Sequence, residues 1–243
     1  PATAYASNTY YDMTANLNVK DYDGDHYYMW DAQEQYWKGH EWWSANKDQP
    51  VLNWTANGNY AQSNADPRYY NESYPGPGII NRTTHTSFNN VPNANEMSWY
   101  CKYGDPRWDA DEVWTTMGHL YKGGMWFKKS SVLWAEGHYS TEKSADGSTD
   151  LRTTYKNYQN SSSSINSGVP SAADANKYFY LPALGFYDTF GQLNRVGDAG
   201  YYWASSASPW AGSGTAYYLY IGSGFVNADN NGKQSGYRVG TFE

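Results

Sequence analysis

The stretch that most constrains the fold is residues 196–243, where short apolar runs alternate with clusters of Gly, Ser and Asn. The apolar runs cover residues 201–204, 216–221, 224–228 and 237–242. Gly and Asn adopt the backbone angles that tight connections between antiparallel strands require, so such clusters mark turns. The pattern predicts a small antiparallel sheet at the C-terminal end of the chain.

The composition of this end is typical of a binding surface. From residue 201 onward, more than half of the residues are Tyr, Ser, Gly, Asn or Trp. Tyr and Trp offer a large contact area at a low entropy cost, while Ser, Gly and Asn form adaptable hydrogen bonds. We therefore predict that the C-terminal sheet displays a ligand-binding face.

The composition of the whole chain limits its partners and its core. The chain has 243 residues and a formal net charge of -7, which disfavours nucleic acid as a partner. It contains 26 Tyr and 12 Trp, so much of the core has to consist of packed rings. No apolar run approaches the roughly 18 residues of a membrane helix, so we expect no direct membrane span.

The clearest helix signal lies in residues 93–103. Asn93 is a favourable N-cap and Glu96 follows three residues later, which is the spacing of a capping box. Cys101 falls on the apolar face of this helix. Because it is the only cysteine in the chain, no intrachain disulfide can form, and we expect a small buried hydrophobe.

A second helix is predicted to begin at Asp109, with Glu112 three residues further on and a Gly-Gly pair at its end. Its apolar stripe would consist of Val113, Met117, Leu120 and Tyr121. Residues 125–127, 132–135 and 178–181 are predicted strands. Two helices followed by clustered strands in one continuous core indicate an α+β fold.

Residues 21–25, Asp-Tyr-Asp-Gly-Asp, precede an aromatic run and predict a hairpin turn. A calcium loop is the alternative, but His26 and Ala32 occupy the positions where the EF-hand pattern needs Gly and a carboxylate. The five His residues show no zinc-site spacing, and no Gly-rich phosphate loop follows a predicted strand. We therefore expect no metal and no cofactor.

Two segments lie outside this periodic framework. Residues 1–21 are predicted to form an N-terminal extension. Residues 140–167 are polar and low in complexity, with four consecutive serines at 161–164. Since periodic structure resumes after them, we predict a polar insertion within one domain and not a linker between two.

Four segments carry a resemblance: VPNANEMSWYCKYGD at 91–105, YFYLPALGF at 178–186, GYYWASS at 200–206 and GYRVG at 236–240. In this order they resemble C-type-lectin-fold domains of the formylglycine-generating-enzyme-like branch. Within this branch they resemble the Fibrobacter succinogenes major paralogous domain group. WDAQEQYWKGHEWW at 30–43 and MGHLYKGGMWFKK at 117–129 are similar to variable proteins of diversity-generating retroelements from gut bacteria and their phages. The resemblance covers most of the chain from about Tyr22 onward, without residues 140–167.

The resemblance implies a single C-type lectin-like domain over residues 1–243, with two helices, a small antiparallel sheet and long irregular loops. Residues 196–243 would be a variable ligand-binding region, diversified at chosen codons by mutagenic reverse transcription. The positions that hold the fold would include Trp203, Leu219, Val226, Gly236 and Val239. The exposed, exchangeable positions would be Ser208, Trp210, Ser213, Tyr217, Tyr218, Tyr220, Phe225, Asn227, Asp229, Asn230, Asn231, Lys233 and Gln234.

The alternation of side chains along a strand supports part of this set. If Leu219 and Ile221 point inward, Tyr218 and Tyr220 point outward. Tyr217 then falls on the same side as Leu219, so alternation does not support its exposure.

The chain departs from the family pattern in two respects. Arg238 precedes Val239, which matches the ending of the formylglycine-generating branch and not the Gly-aromatic-Ser-Val-Arg ending of many members of the paralogous-domain group. The enzymes of that branch use a reactive cysteine pair, whereas this chain has Cys101 alone. We therefore expect a binding protein and not an enzyme.

The function that the resemblance implies is receptor recognition outside the cell, at a cell surface or on a phage particle, with a protein or glycan ligand. A carbohydrate-binding adhesin and a carbohydrate-active enzyme remain open as alternatives. A glycosidase needs a pair of carboxyl groups at a defined separation. Carboxylates that could form such a pair are Glu41, Asp105, Asp109, Asp111, Glu112 and Glu136.

Overall fold

The computed structural model describes residues 19–210 and 214–243. In these ranges the fold is mixed, with two α-helices and mostly strands, as the α+β prediction requires. The helices are α1 Ala94–Tyr103 and α2 Ser130–Ala135. The strands are β1 Lys20–Asp21, β2 Tyr27–Tyr28, β3 Arg107–Thr116, β4 His119–Lys128, β5 Tyr158–Ser161, β6 Asn166–Ser167, β7 Tyr178–Pro182, β8 Leu184–Tyr187, β9 Leu193–Val196, β10 Ala199–Ala207, β11 Thr215–Gly222, β12 Phe225–Gly232 and β13 Tyr237–Arg238.

The strands form two sheets. In the first, β1, β3, β4 and β7 lie in this order, and β6 also pairs with β3. In the second, the order is β2, β13, β10, β11, β12 and β5, with β8 paired to β10 and β9 paired to β8. The predicted C-terminal sheet is confirmed, since β10, β11 and β12 pair antiparallel. The last predicted run forms only the short β13, which lies parallel beside β10.

Helix α1 forms where the sequence predicts it, and its capping box is present. The Asn93 side chain accepts a hydrogen bond from the Glu96 backbone N–H (3.2 Å), and the Glu96 carboxylate accepts one from the Asn93 N–H (2.7 Å). The helix packs against β5, β11 and β12. Cys101 is fully buried on this side, and burial raises the pKa of its thiol to about 12, which makes it inert.

The prediction of a second helix from Asp109 is wrong. The segment predicted to be helical from Asp109 onward forms a hairpin of β3 and β4. The two strands are joined at Met117 and Gly118, whose φ angles are +50° and +76°. Two members of the predicted stripe, Val113 and Leu120, are exposed, so the helical spacing of apolar residues does not correspond to a buried face. Asp109 is no helix cap either, because its carboxylate accepts the N–H groups of residues 111 and 112 at a strand irregularity.

Two shorter predictions also fail. Residues 132–135 lie in α2 and not in a strand. Residues 21–25 do not close a hairpin, because β1 pairs with β3 in the first sheet while β2 pairs with β13 in the second. The Asp-Gly segment therefore connects two sheets, and the strand pairing of distant residues overrides the local turn signal.

The polar stretch 140–167 contributes to the core in a way that its composition does not suggest. Leu151 is fully buried, and its backbone N–H donates to the Asn95 side chain on α1 (2.8 Å). Strand β5, which lies in this stretch, pairs antiparallel with β12 and extends the second sheet by one strand. No helix in the described ranges combines the length and the apolar character of a membrane span.

Candidate ligand-binding face

Strands β10, β11 and β12 present two faces with different surroundings. On one side the register aligns Tyr202, Leu219 and Ala228, and all three are buried against the core that contains α1. On the other side it aligns Tyr201, Tyr220 and Asn227. We call the second side the outer face. It consists of Tyr201, Trp203, Tyr218, Tyr220, Phe225, Asn227, Asp229 and Asn231.

Burial on the outer face decreases from β10 towards β12. At the β10 end, Trp203 is fully buried, donates from Nε1 to the Tyr28 carbonyl oxygen (2.8 Å) and stacks on Tyr237 with ring centroids 4.3 Å apart. In the middle, Tyr218 and Tyr220 on β11 are half-buried. On β12, Phe225, Asn227 and Asp229 are also half-buried, and Asn231 is exposed. The face is therefore closed at one end and open to solvent at the other.

The middle of the outer face is a row of rings in contact. The Tyr201 and Tyr220 rings stack at 4.5 Å, and Phe225 lies 4.2 Å from Tyr220 on the open side. Phe186 from β8 lies 4.3 Å from Tyr201 on the closed side. Such offset and tilted ring pairs add to the energy of burial and fix the side-chain orientations. The row forms a preorganised aromatic platform.

Arg195 borders this platform and was not foreseen from the sequence. It has a positive φ of 62°, its Nη1 donates to the hydroxyls of Tyr201 and Tyr220, and its Nε donates to Asp198 (2.7 Å). Its guanidinium also lies 5.6 Å from the Tyr220 ring centroid. Burial raises the pKa of the Tyr201 hydroxyl. In the sequence, a single Arg beside a turn does not indicate that its side chain borders a row of rings.

The open end of the outer face carries polar side chains. Asp229 accepts a hydrogen bond from the Tyr155 hydroxyl (2.9 Å), and the Asn231 amide donates to the Tyr237 hydroxyl (2.5 Å). Within the described residues, the side-chain oxygen of Asn227 is buried and has no hydrogen-bond partner. The end nearest solvent therefore combines donors, acceptors and one carboxylate beside the rings.

Most of the predicted exchangeable positions are at least partly exposed, but they do not all share one face. Tyr218, Tyr220, Phe225, Asn227, Asp229 and Asn231 lie on the outer face. Asn230 pairs with Tyr217 on the opposite side. Trp210 is 60% exposed in the loop after β10, and Gln234 lies in the turn after β12. Ser213 lies outside the described residues.

The expected exposure of three positions is wrong. Tyr217 is fully buried because it shares the side of Leu219, and its hydroxyl donates to the Lys156 carbonyl oxygen (3.2 Å). Ser208 is 2% exposed, since its backbone N–H and hydroxyl are used in the turn that follows β10. The third position is Lys233.

Lys233 is fully buried although its side chain is cationic. Its Nζ lies 4.3 Å from the Trp30 ring centroid and donates to the Asn71 carbonyl oxygen (3.1 Å). Burial lowers the pKa of this amine to about 8, opposed in part by the charge of Asp31. Lys233 therefore anchors an internal loop and is not a contact residue of the face.

All five predicted framework positions are buried. Trp203, Leu219 and Val226 have no exposed surface, Val239 is 5% exposed, and Gly236 is buried against the rings of Tyr36 and Tyr187. A Cβ at Gly236 would lie 2.6 Å from the Tyr36 ring, so only glycine fits there without movement. The sequence thus separates framework from surface correctly at these positions.

The carboxylates considered for catalysis serve structural contacts where they are buried. Glu41 accepts from Gln35 Nε2 (2.9 Å) and the Gly39 N–H (3.0 Å). Asp105 accepts from the Tyr178 hydroxyl (2.6 Å), and Asp109 accepts from Trp126 Nε1 (3.1 Å). The others, Asp111, Glu112 and Glu136, are exposed.

One group of potential metal ligands lies in the segment between β1 and β2. Asp23, Asp25 and His26 bring their ligand atoms within 4.8 Å of one another. His26 Nδ1 lies 2.7 Å from a carboxylate oxygen of each aspartate, so a bridging imidazole already accounts for their proximity. The cluster is largely exposed, and acidic surface groups of this kind are common without a cation.

Comparison of the chain with protein-family models, curated proteins and solved structures gives no significant match. The functional interpretation therefore depends on the geometry of the outer face and on the sequence resemblance.

Proposed function

We propose that this chain is a ligand-recognition protein of the C-type lectin fold whose outer face carries exchangeable contact residues. In this proposal it is a variable protein of a diversity-generating retroelement, acts outside the cell or on a phage particle, and has no catalytic activity. Its partner is a protein or glycan on another cell or molecule, and not nucleic acid. The net charge of -7 supports the last point.

The observation that carries the proposal is the difference between neighbouring residues of one strand. Leu219 and Ile221 are fully buried in the core, whereas Tyr218 and Tyr220, which alternate with them, remain partly open on the outer face. A strand with one buried and one open face can change its open side chains without moving its backbone. This is the property that a diversified site requires.

The backbone beneath the face supports the same interpretation. Strand β11 is paired with β12 along its whole length, and with β10 at residues 218–222 and at Ala216. The peptide groups around Tyr218 and Tyr220 therefore have their hydrogen-bond partners regardless of which side chains these positions carry. A substitution at Tyr220 removes ring contacts but leaves the ladder intact.

The chemistry of the open end suits a protein or a glycan ligand. Tyr220 and Phe225 provide ring surface, while Asn227, Asp229 and Asn231 provide hydrogen-bonding groups around it. Tyrosine with adaptable amides is the composition of evolved paratopes. Rings flanked by amides and carboxylates equally suit sugars, so the face alone does not select between these ligands.

A carbohydrate-binding adhesin with an invariant site is the second candidate. It is favoured by Trp210, which is 60% exposed and packs edge-on against Tyr155 at 4.9 Å. Binding to a glycan panel that is lost in Trp210→Ala, in a gene without variation at the outer face, would select this candidate.

Two matched libraries test the main proposal. The first randomises Tyr220, Phe225, Asn227 and Asn231, and the second randomises Tyr217, Leu219, Ile221 and Val226 on the same strands. We expect most members of the first library to fold and some to bind new protein targets, while most members of the second fail to fold. Equal losses of folded protein in both libraries would contradict the proposal.

A further inference from the structure

A cavity of about 250 Å³ lies beside β13, on the side of the second sheet opposite the outer face. Its walls come from Lys20 on β1, from Tyr22 directly after it, from Tyr180 on β7 and from the chain after β13. Tyr202, whose side chain points away from the outer face, also lines it. A neighbouring cavity of about 410 Å³ shares Lys20, Tyr22 and Tyr180 with it.

Arg238 lines this cavity and is only 8% exposed. Its Nη1 donates to the Asp23 carbonyl oxygen (2.9 Å), and its guanidinium lies 5.1 Å from the Tyr27 ring centroid. Within residues 19–210 and 214–243, no carboxylate lies within 4.0 Å of this guanidinium. A buried guanidinium with five N–H donors and no paired anion is costly, so an anion at the cavity wall would stabilise it.

The carboxylates nearest the cavity, those of Asp23 and Glu243, are hydrogen-bonded to groups other than Arg238. Lys20 adds a second positive charge at the rim. Glu243 is the acidic residue of the wall, but its carboxylate accepts hydrogen bonds from the Tyr100 hydroxyl (2.9 Å) and the Ser130 hydroxyl (3.1 Å). The Asp23 carboxylate is occupied by His26 at 2.7 Å. The cavity wall therefore carries a buried guanidinium, a second cation at its rim and one carboxylate, that of Glu243, which is bonded elsewhere.

Ring and aliphatic side chains form part of the remaining wall. Tyr22, Tyr180, Leu184 and Phe242 surround the space next to the guanidinium, and the Tyr202 hydroxyl is already bonded to the Pro182 carbonyl oxygen. An anion alone would leave this ring surface without a partner. A molecule with an anionic end and an apolar body satisfies both parts of the cavity.

We propose that this cavity binds a small organic carboxylate whose carboxylate pairs with Arg238 and whose aromatic or aliphatic body contacts the surrounding rings. The planar guanidinium fork matches a carboxylate in bidentate geometry. The volume suits a molecule the size of an aryl acetate and is too small for a nucleotide or a peptide. This binding site is separate from the outer face and does not depend on the function proposed for that face.

Phenylacetate and indole-3-acetate are suitable probes, with phenylacetamide as the neutral control of the same shape. Added to the full chain, either acid should shift the backbone NMR signals of Arg238, Val239 and Gly240 and leave those of Tyr220 and Asn227 unchanged. Phenylacetamide should bind about ten- to a hundredfold more weakly than phenylacetate, because the charge-assisted hydrogen bonds are lost. Equal binding of the acid and the amide, or shifts on the outer face alone, would overturn the proposal.

Variants locate the anion site. Arg238→Met should weaken phenylacetate binding about ten- to a hundredfold, and Lys20→Gln about two- to fivefold. Arg107→Met is the control, because Arg107 already pairs with Asp105 (3.3 Å) and lies outside the cavity. If Arg238→Met does not fold, the site is still tested in two ways. These are the affinity of the exposed Lys20→Gln variant for phenylacetate and the comparison of phenylacetate with phenylacetamide. Unchanged affinity in Lys20→Gln together with equal affinity for the amide rejects the site.

Discussion

The two faces of β10–β12 share one backbone but differ in what covers them. The inner side, with Tyr217, Leu219 and Ile221, is closed by α1 and by the polar stretch 140–167. The outer face is closed only near β10, where Trp203 packs on Tyr237. Burial of a strand residue therefore depends on which element lies above it and not on its own side chain.

This difference assigns a structural role to each row of residues. On the inner side, replacement leaves a cavity or an unpaired polar group. On the outer face the cost of replacement should decrease from β10 to β12, in parallel with the burial. The following changes test this gradient.

The largest effect is expected at the closed end of the outer face. Trp203→Ala removes a fully buried ring and leaves the Tyr28 carbonyl oxygen without its donor. We expect a loss of about 3–5 kcal/mol in the free energy of unfolding. Urea denaturation of the purified variant measures this loss, and a value below about 1 kcal/mol would show that the face is not anchored at β10.

The next effect compares neighbours on β11. Tyr217→Ala should cost about 3 kcal/mol, because the ring is fully buried and its hydroxyl bonds to the Lys156 carbonyl oxygen. Tyr220→Ala should cost about 1 kcal/mol, since its side chain is only partly buried. Urea denaturation of both variants, fitted with the same m-value, gives the two free energies of unfolding from the midpoints. Similar costs at the two positions would mean that the strand does not have two distinct faces.

A pH-dependent effect is expected at Lys233. Its pKa is about 8 in the folded protein against an ordinary value of 10.5, so between these values the folded state holds a neutral amine while the unfolded state stays protonated. The unfolded state then binds more protons, and the stability of the wild type relative to Lys233→Met rises with pH.

We expect this rise to amount to about 2 kcal/mol between about pH 8 and pH 10, with no change below about pH 7. The tyrosines titrate equally in both proteins, so their contribution cancels in the difference. Lys47→Met, at an exposed lysine, serves as the control. A difference that stays constant with pH, or falls, would contradict the burial of a charged Lys233.

The smallest effect is expected outside the sheet, in the loop after β10. Trp210→Ala should change the free energy of unfolding by less than about 0.5 kcal/mol, because the ring is 60% exposed. Thermal unfolding followed by circular dichroism is sufficient to measure it. A loss as large as that of Tyr217→Ala would move Trp210 from the binding surface into the framework.

Local sequence signals predict the elements that depend on local contacts. The capping box of Asn93 and Glu96 identifies α1 within one residue, and the Gly and Asn clusters locate β10, β11 and β12. The alternation of Leu219 and Ile221 with Tyr218 and Tyr220 predicts the two faces. These features require only neighbouring residues and the periods of regular structure.

The sequence-based predictions fail where contacts between distant segments determine the structure. Lys233 is buried because Trp30 and Asn71, far away in the chain, cover it. The β3–β4 hairpin has apolar residues at helical spacing, but pairing with β1 and β7 makes it a sheet. Arg195 joins the site only because β9 lies beside the C-terminal strands. None of these contacts has a signature in a single sequence.

The most direct test of the central claim, that the outer face is a diversified ligand-binding site, is to sequence this gene and its surroundings from many cells of one population. We predict substitutions concentrated at Tyr220, Phe225, Asn227 and the other outer-face codons near β12, next to a near-repeat and a reverse-transcriptase gene. The codons for Leu219, Ile221 and Val226 on the same strands should stay constant. A uniform gene, or substitutions spread equally over both faces, would contradict the claim.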